Sequence, residues 1–154
     1  MRTATLSLKG RALKYLAARE HSRAELTRKL APHAESAEEV QRVLDELEAR
    51  GFLSAERFAE SVVHRKAARY GVARLKAELS QHQLPEDVTR QVTQALRDSE
   101  LSRAQALWAK RFGSVAQTPA ELAKQMRFLS GRGFSGEVIR RVVKGAPQDE
   151  SQDD

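Results

Sequence analysis

The sequence predicts an all-α protein, an elongated, curved array of three tandem three-helix repeats. Three observations lead there. Long runs of the 154 residues are rich in Ala, Leu, Arg, Glu, Lys and Gln, the strong helix formers, whereas aromatics make up only 5% and β-branched residues are thin. Apolar residues recur at helical spacing along the chain. A helix ending in leucine, then a turn, then a second amphipathic helix occurs three times, about fifty residues apart.

The elements follow in order. Residues 1–8 are expected to be a flexible N-terminus. The first repeat, 9–53, opens with a helix carrying Leu13, Leu16 and Ala17 on one face. Ser22 caps a second helix that ends at Leu30, and a third presents Val40 and Leu44 at i, i+4. In the second repeat, 54–98, Ser54 caps a helix with Phe58, Ala59, Val62 and Val63. The next helix ends at Leu79, and Pro85 opens a third with Val88 and Val92. The third repeat, 99–144, has Ala104, Leu107, Trp108 and Phe112 on its first helix. Thr118-Pro119 is a cap followed by proline at N1, Leu129 ends the second helix, and Ser135 opens a third with Val138 and Val142. Leu79, Leu84, Val88 and Val92 match Leu129, Phe134, Val138 and Val142 at a constant offset of 50. Gly51, Gly71, Gly113 and Gly133 fall at breaks, where left-handed backbone costs glycine little. That makes nine helices. Each repeat is too small for a strong core of its own, so neighbours must stack. Residues 145–154 hold four acids and no cation and read as a disordered tail.

The composition excludes much catalytic chemistry. There is no cysteine, hence no disulfide, thiolate zinc site or cysteine nucleophile. The four histidines lack ligand spacing, and no phosphate loop or G-x-S-x-G elbow is present. Glu38-Glu39 and Asp45-Glu46 read as solvated carboxylates. No enzyme activity, metal or cofactor is expected. No apolar run fits a signal peptide or a membrane span, so the expectation is a soluble, cytoplasmic protein without a membrane partner.

The charge points to an acidic partner. The formal net charge is +6 and the pI about 10. Cations and acids alternate in blocks: eight against two over residues 1–34, two against seven over 35–56, six against two over 57–82, and nine against two over 101–144. The densest stretch is ERFAESVVHRKAARYGVARLKAEL, residues 56–79. Arg57 opens it. At 100° per residue Arg65 and Arg69 fall near the azimuth of Phe58, and Lys66 lies between Val62 and Val63, so the apolar face turns basic. Arg74 and Lys76 continue the positive field. The macrodipole accounts for one or two such cations, not for all. Arg11, Lys14 and Arg19 surround Tyr15 on the first helix, while Arg132 sits in a Gly-Arg-Gly turn, and Arg140, Arg141 and Lys144 share a face of the last helix. Tyr15 and Tyr70 are candidate exposed aromatic contacts, whereas Trp108 and Phe112 read as core. Nothing offers base-specific readout, so contact with DNA would be to phosphate and salt-dependent.

The three-repeat pattern, with RFAESVVHRKAARYGVARLKAEL in its middle and RFLSGRGFSGEVIRRVV at its end, resembles the RecX family of recombination regulators over about Lys9 to Lys144. SRAELTRKL and DELEARGFLS look like the family's opening. Arg57-Phe58-Ala59, Arg65, Arg69, Gly71, Arg74 and the Leu75/Leu79 pair carry the most specific part. YGVARL departs from the family, which commonly has a second Gly and a Pro after the tyrosine-glycine.

The resemblance implies a non-enzymatic protein of DNA recombination, repair and the SOS response. It would bind the RecA recombinase filament in its helical groove and restrain ATP hydrolysis, strand exchange and coprotease activity. The partners it implies are RecA with single-stranded DNA, and double-stranded DNA without sequence specificity. A monomer is expected. Two rivals remain. Residues 10–53 alone fit a helix-turn-helix or winged-helix DNA-binding regulator, and the whole chain fits a helical adaptor without a nucleoprotein target.

Overall fold

The fold follows from the caps and the buried stripes of a computed structural model that describes residues 5–145. Its α-helices are α1 (Leu8–Ala18), α2 (Arg23–Leu30), α3 (Ala37–Ala49), α4 (Ala55–Lys66), α5 (Val72–Ser80), α6 (Glu86–Arg111), α7 (Pro119–Gly131) and α8 (Gly136–Val143), with a 3-10 turn at Ala31–His33. The chain is all-α, and the described residues include no strand. Where a winged helix would place its hairpin, after Leu53, the chain runs directly into α4.

Local signals set most helix starts. Ser22 and Glu25 form a reciprocal capping box on α2. Ser7, Ser36, Thr118 and Ser135 each accept a first-turn N–H of their helices, and Ser54 does the same for α4. Among the described residues eight α-helices stand where nine were expected. Nothing between Glu86 and Arg111 breaks a helix, as there is neither Gly nor Pro, so the third helix of the second repeat and the first of the third are one continuous α6. The acidic tail expected over 145–154 lies, from residue 146 on, outside the described residues, as do the first four residues of the expected N-terminal arm.

The chain forms two compact units, the first running to Val62 and including Leu79–Arg90, the second comprising Val63–Glu78 and the residues from Gln91 onward. In the first, Ala12, Leu26, Leu30, Val40, Leu44, Leu47 and Leu53 make one core. On the first helix Leu13 and Leu16 pack against this core as expected, beside the more deeply buried Leu8 and Ala12, while Ala17 is exposed. Phe58, Ala59 and Val62 are also buried, and the Phe58 ring lies 4.5 Å from that of His82.

In the second unit, Ala104, Trp108, Leu129, Phe134, Ile139, Val142 and Val143 form the core of the last repeat. Val142 is fully buried as expected, with Ile139 buried beside it, while Val138 is only partly buried against the same core. Val72, Leu75 and Leu96 form a smaller cluster backed by Tyr70 and Val92. The matching leucines Leu30, Leu79 and Leu129 are all fully buried, which is what the repeat requires of them. Gly51, Gly113 and Gly133 use the left-handed backbone open to glycine, whereas Gly71 does not. Gly71 is needed for close approach, since a Cβ there would lie 2.3 Å from the Gly133 carbonyl oxygen.

Candidate functional site

The turn between α4 and α5 and the turn between α7 and α8 meet backbone to backbone. The Gly71 N–H donates to the Arg132 carbonyl at 2.8 Å, and the Ala73 N–H to that of Gly133 at 3.3 Å. Each glycine removes the side chain that would hold the two turns apart.

This meeting builds a row of guanidinium groups on two aromatic rings. Arg74 lies 4.1 Å from the centroid of Tyr70, Arg69 5.5 Å and Arg132 5.6 Å. Arg132 is also 5.1 Å from the centroid of Phe128, and Arg111 reaches that ring at 5.2 Å. Tyr70 and Phe128 are half-buried, seated on the two clusters of the second unit. Each cation–π contact stabilises by about 0.5–1 kcal/mol at a partly exposed site. The four arginines pair with no carboxylate among the described residues. The rings hold their planes in place without neutralising them, and an incoming anion would relieve their mutual repulsion.

The remaining sequence-predicted cations divide sharply. Several are matched internally. Arg57 donates to Glu20 at 2.9 Å and to the Gly51 carbonyl at 2.6 Å. Arg19 is bidentate to Glu25, with bonds of 2.6 and 3.3 Å, and Lys66 is paired with Glu78. Arg65 is exposed on α4 and takes part in an interaction of its own. Lys76 is exposed on α5 and, with Arg97, lines a cleft of about 470 Å3. Arg140, Arg141 and Lys144 are exposed on α8. In the first unit Arg11 is half-buried and Lys14 exposed. Tyr15 is half-buried against the core there, with the Lys29 ammonium 4.8 Å from its ring centroid. The structure thus brings Arg69, Tyr70, Arg74 and Arg132 together, from two segments sixty residues apart. Arg111 and Phe128 escaped the sequence reading. The only trace of them is a cation beside Phe112 at one helix end and an aromatic four residues before Arg132.

The first unit holds a second polar cluster of structural character. His21 is buried, with its Nδ1 3.0 Å from the Arg19 carbonyl and its Nε2 2.8 Å from the Lys29 ammonium. These partners fix the neutral ring as Nδ1–H donor and Nε2 acceptor. Burial lowers the His21 pKa, against the Arg19 carbonyl, and the charges of Arg19 and Lys29 add to the lowering. Burial pushes the Glu25 carboxyl up, but hydrogen bonds from Arg19 and the Ser22 N–H, with the charge of Arg19, outweigh it and bring the pKa to about 2. No group of three or more His, Cys, Asp or Glu among the described residues is placed to hold a metal ion, and no described helix is long and apolar enough to cross a membrane.

Comparison with known proteins adds the following. Family models described as the first, second and third three-helix domains of RecX match residues 9–47, 56–92 and 98–143. The chain is similar to the regulatory protein RecX of Leptothrix cholodnii, with 55% identity over 96% of this chain and 94% of that one. It is similar to the regulatory protein RecX of Ralstonia nicotianae at 57% identity, over 92% and 89%. The crystal structure of RecX from Lactobacillus salivarius superposes with a TM-score of 0.74, covering 89% of this chain and 92% of that one; at 19% identity, it speaks to the fold alone.

Proposed function

Since the chain belongs to the RecX family of regulatory proteins, we propose that it binds the RecA filament on single-stranded DNA and restrains its ATP hydrolysis, strand exchange and coprotease activity. The observation that carries this reading is the row of Arg69, Arg74, Arg132 and Arg111. These are four cations without carboxylate partners among the described residues, held in place on two rings. Such a row fits phosphate or acidic protein surface, both of which a nucleoprotein filament offers. Arg140, Arg141, Lys144 and Lys76 add further exposed positive charge within the second unit. Arg57, Arg19 and Lys66 contribute less, because their charge is already matched. Binding and charge complementarity suffice for such a role, without a catalytic step.

The test is RecA-dependent ATP hydrolysis on single-stranded DNA with the protein titrated in. Arg69→Glu/Arg74→Glu should keep its helical circular dichroism and raise the half-inhibitory concentration at least about tenfold, since each reversal turns a cation–π contact and an anion contact into repulsion. Undiminished inhibition by the folded double variant would overturn the assignment. Gel shifts on random DNA, with and without RecA, separate it from an adaptor, which would shift neither.

A further inference from the structure

The floor of the cleft beside Lys76 and Arg97 is a buried carboxylate that the reading above does not use. Glu100, on α6, is 5% exposed. One of its oxygens accepts the Val72 N–H at 2.7 Å, the other the Ser135 N–H at 3.3 Å. Val72 is the first residue of α5, and Ser135 is the N-cap of α8. One side chain therefore serves the N-terminal ends of two helices, each of which carries partial positive charge. Gly71, which precedes α5, has no side chain with which to cap it. The carboxylate that takes this part comes from 28 residues away in sequence.

Arg103 is one turn further along α6, on the same face. Its Nη1 donates to the Ala67 carbonyl at 2.8 Å and to the Tyr70 carbonyl at 2.5 Å, its Nη2 to the Leu96 carbonyl at 2.8 Å, and its Nε to the Ser99 hydroxyl at 2.9 Å. The guanidinium thus closes the end of the α4–α5 turn, on the residue whose ring carries three of the arginines. Burial lowers the pKa of Arg103, and the negative charge of Glu100 opposes that.

We propose that Glu100 and Arg103 are the positioning residues of the arginine row: the carboxylate holds the N–H groups of both turns, the guanidinium holds the carbonyls of one, and Tyr70 and Phe128 present their cations in register only while both turns are seated. Neither residue touches the partner. Their effect on inhibition rests on the function proposed above, whereas their effect on the row does not.

The experiment uses the full chain with Glu100→Gln, which leaves one N–H facing an amide NH2 in place of an acceptor. Hydrogen exchange at Val72 and Ser135 should accelerate at least about tenfold, the cost of roughly one buried hydrogen bond, with the Leu26 and Leu44 amides of α2 and α3 unchanged. The Arg74 side-chain N–H resonance, displaced by the Tyr70 ring, should move toward the value of an unstacked arginine. The half-inhibitory concentration should rise by a similar factor in the ATP hydrolysis assay, and Glu100→Gln added to Arg69→Glu/Arg74→Glu should do nothing further. If exchange and the Arg74 resonance stay unchanged, the inference is overturned whatever inhibition does. If both change but inhibition holds while Arg69→Glu/Arg74→Glu loses it, the clasp is structural only and the inference is again overturned. If Arg69→Glu/Arg74→Glu itself inhibits normally, the proposed function fails, and the exchange and resonance data alone decide the clasp. Should Glu100→Gln not fold, Arg103→Lys, which keeps the charge and removes the fork, is read by the Arg74 resonance and the half-inhibitory concentration, with the same outcomes deciding for or against the clasp.

Discussion

Alanine at Gly71 tests the seating of the two turns most directly. Its Cβ would lie 2.3 Å from the Gly133 carbonyl oxygen and 2.4 Å from the Phe134 nitrogen, all backbone that cannot swing aside. Restoring an ordinary contact requires the turns to part by about 1 Å. The Gly71 N–H to Arg132 bond, now 2.8 Å, and the Ala73 N–H to Gly133 bond, now 3.3 Å, would then both pass out of range. Two backbone hydrogen bonds at about 1 kcal/mol each, with about 1–3 kcal/mol of overpacking, give a loss of about 3–5 kcal/mol. For a chain of this size that is a fall in melting temperature on the order of 10 °C. The assay is thermal and urea denaturation followed by circular dichroism, with two glycine controls. Gly131→Ala, in a helix with open space around it, should be neutral or stabilising by up to about 1 kcal/mol. Gly51→Ala, also in open space but at φ +80°, should cost about 1–2 kcal/mol. A Gly71→Ala protein within about 1 kcal/mol of the parent would refute the backbone-to-backbone seating of the turns.

Three further outcomes are expected. The Glu25 carboxyl sits at about 2 against an ordinary 4.5, so the unfolded chain takes up that proton first as pH falls. The stability it supplies is complete above about pH 4.5 and drains away toward pH 2, and the stability gap between the parent and Glu25→Gln in urea melts should close over that interval. A gap independent of pH would refute this. Gln125→Ala removes the partner that accepts the buried Trp108 indole N–H at 3.0 Å and should cost about 2–3 kcal/mol, read in urea melts from the fluorescence of the single tryptophan. Gln83 has φ +52° at the position matching Gly133 in the next repeat, so Gln83→Gly should raise stability by up to about 1 kcal/mol in thermal melts.

Much of the fold is legible because its signals are local. Ser22, Ser54, Thr118 and Ser135 are caps in sequence and in space, and the fifty-residue spacing places Leu79 and Leu129 in equivalent buried positions. The site is legible only in part. Counting cations finds Arg69, Arg74 and Arg132, but it ranks Arg57, Arg19 and Lys66 equally with them. Nothing local says that Glu20, Glu25 and Glu78 stand opposite those three. Among the described residues the helix count missed by one for a related reason: the repeat pattern sets a boundary after residue 98, but α6 has no breaker there to end it.

The sequence by itself determined the all-α class, the threefold repeat and the surplus of positive charge, because periodicity, capping and composition act over a few residues or over the whole sum. Only the tertiary structure decided which of those cations meet. Glu100 lies in the stretch DSELSRAQ, where it reads as one more solvated acid, yet it is buried against Val72 and Ser135. Its hydrogen bonds depend on two helix starts brought to it by packing, and Gly71 permits that approach by lacking a side chain. A charge that sequence counts as surface can be a clasp once the backbone it serves arrives from 28 and 35 residues away.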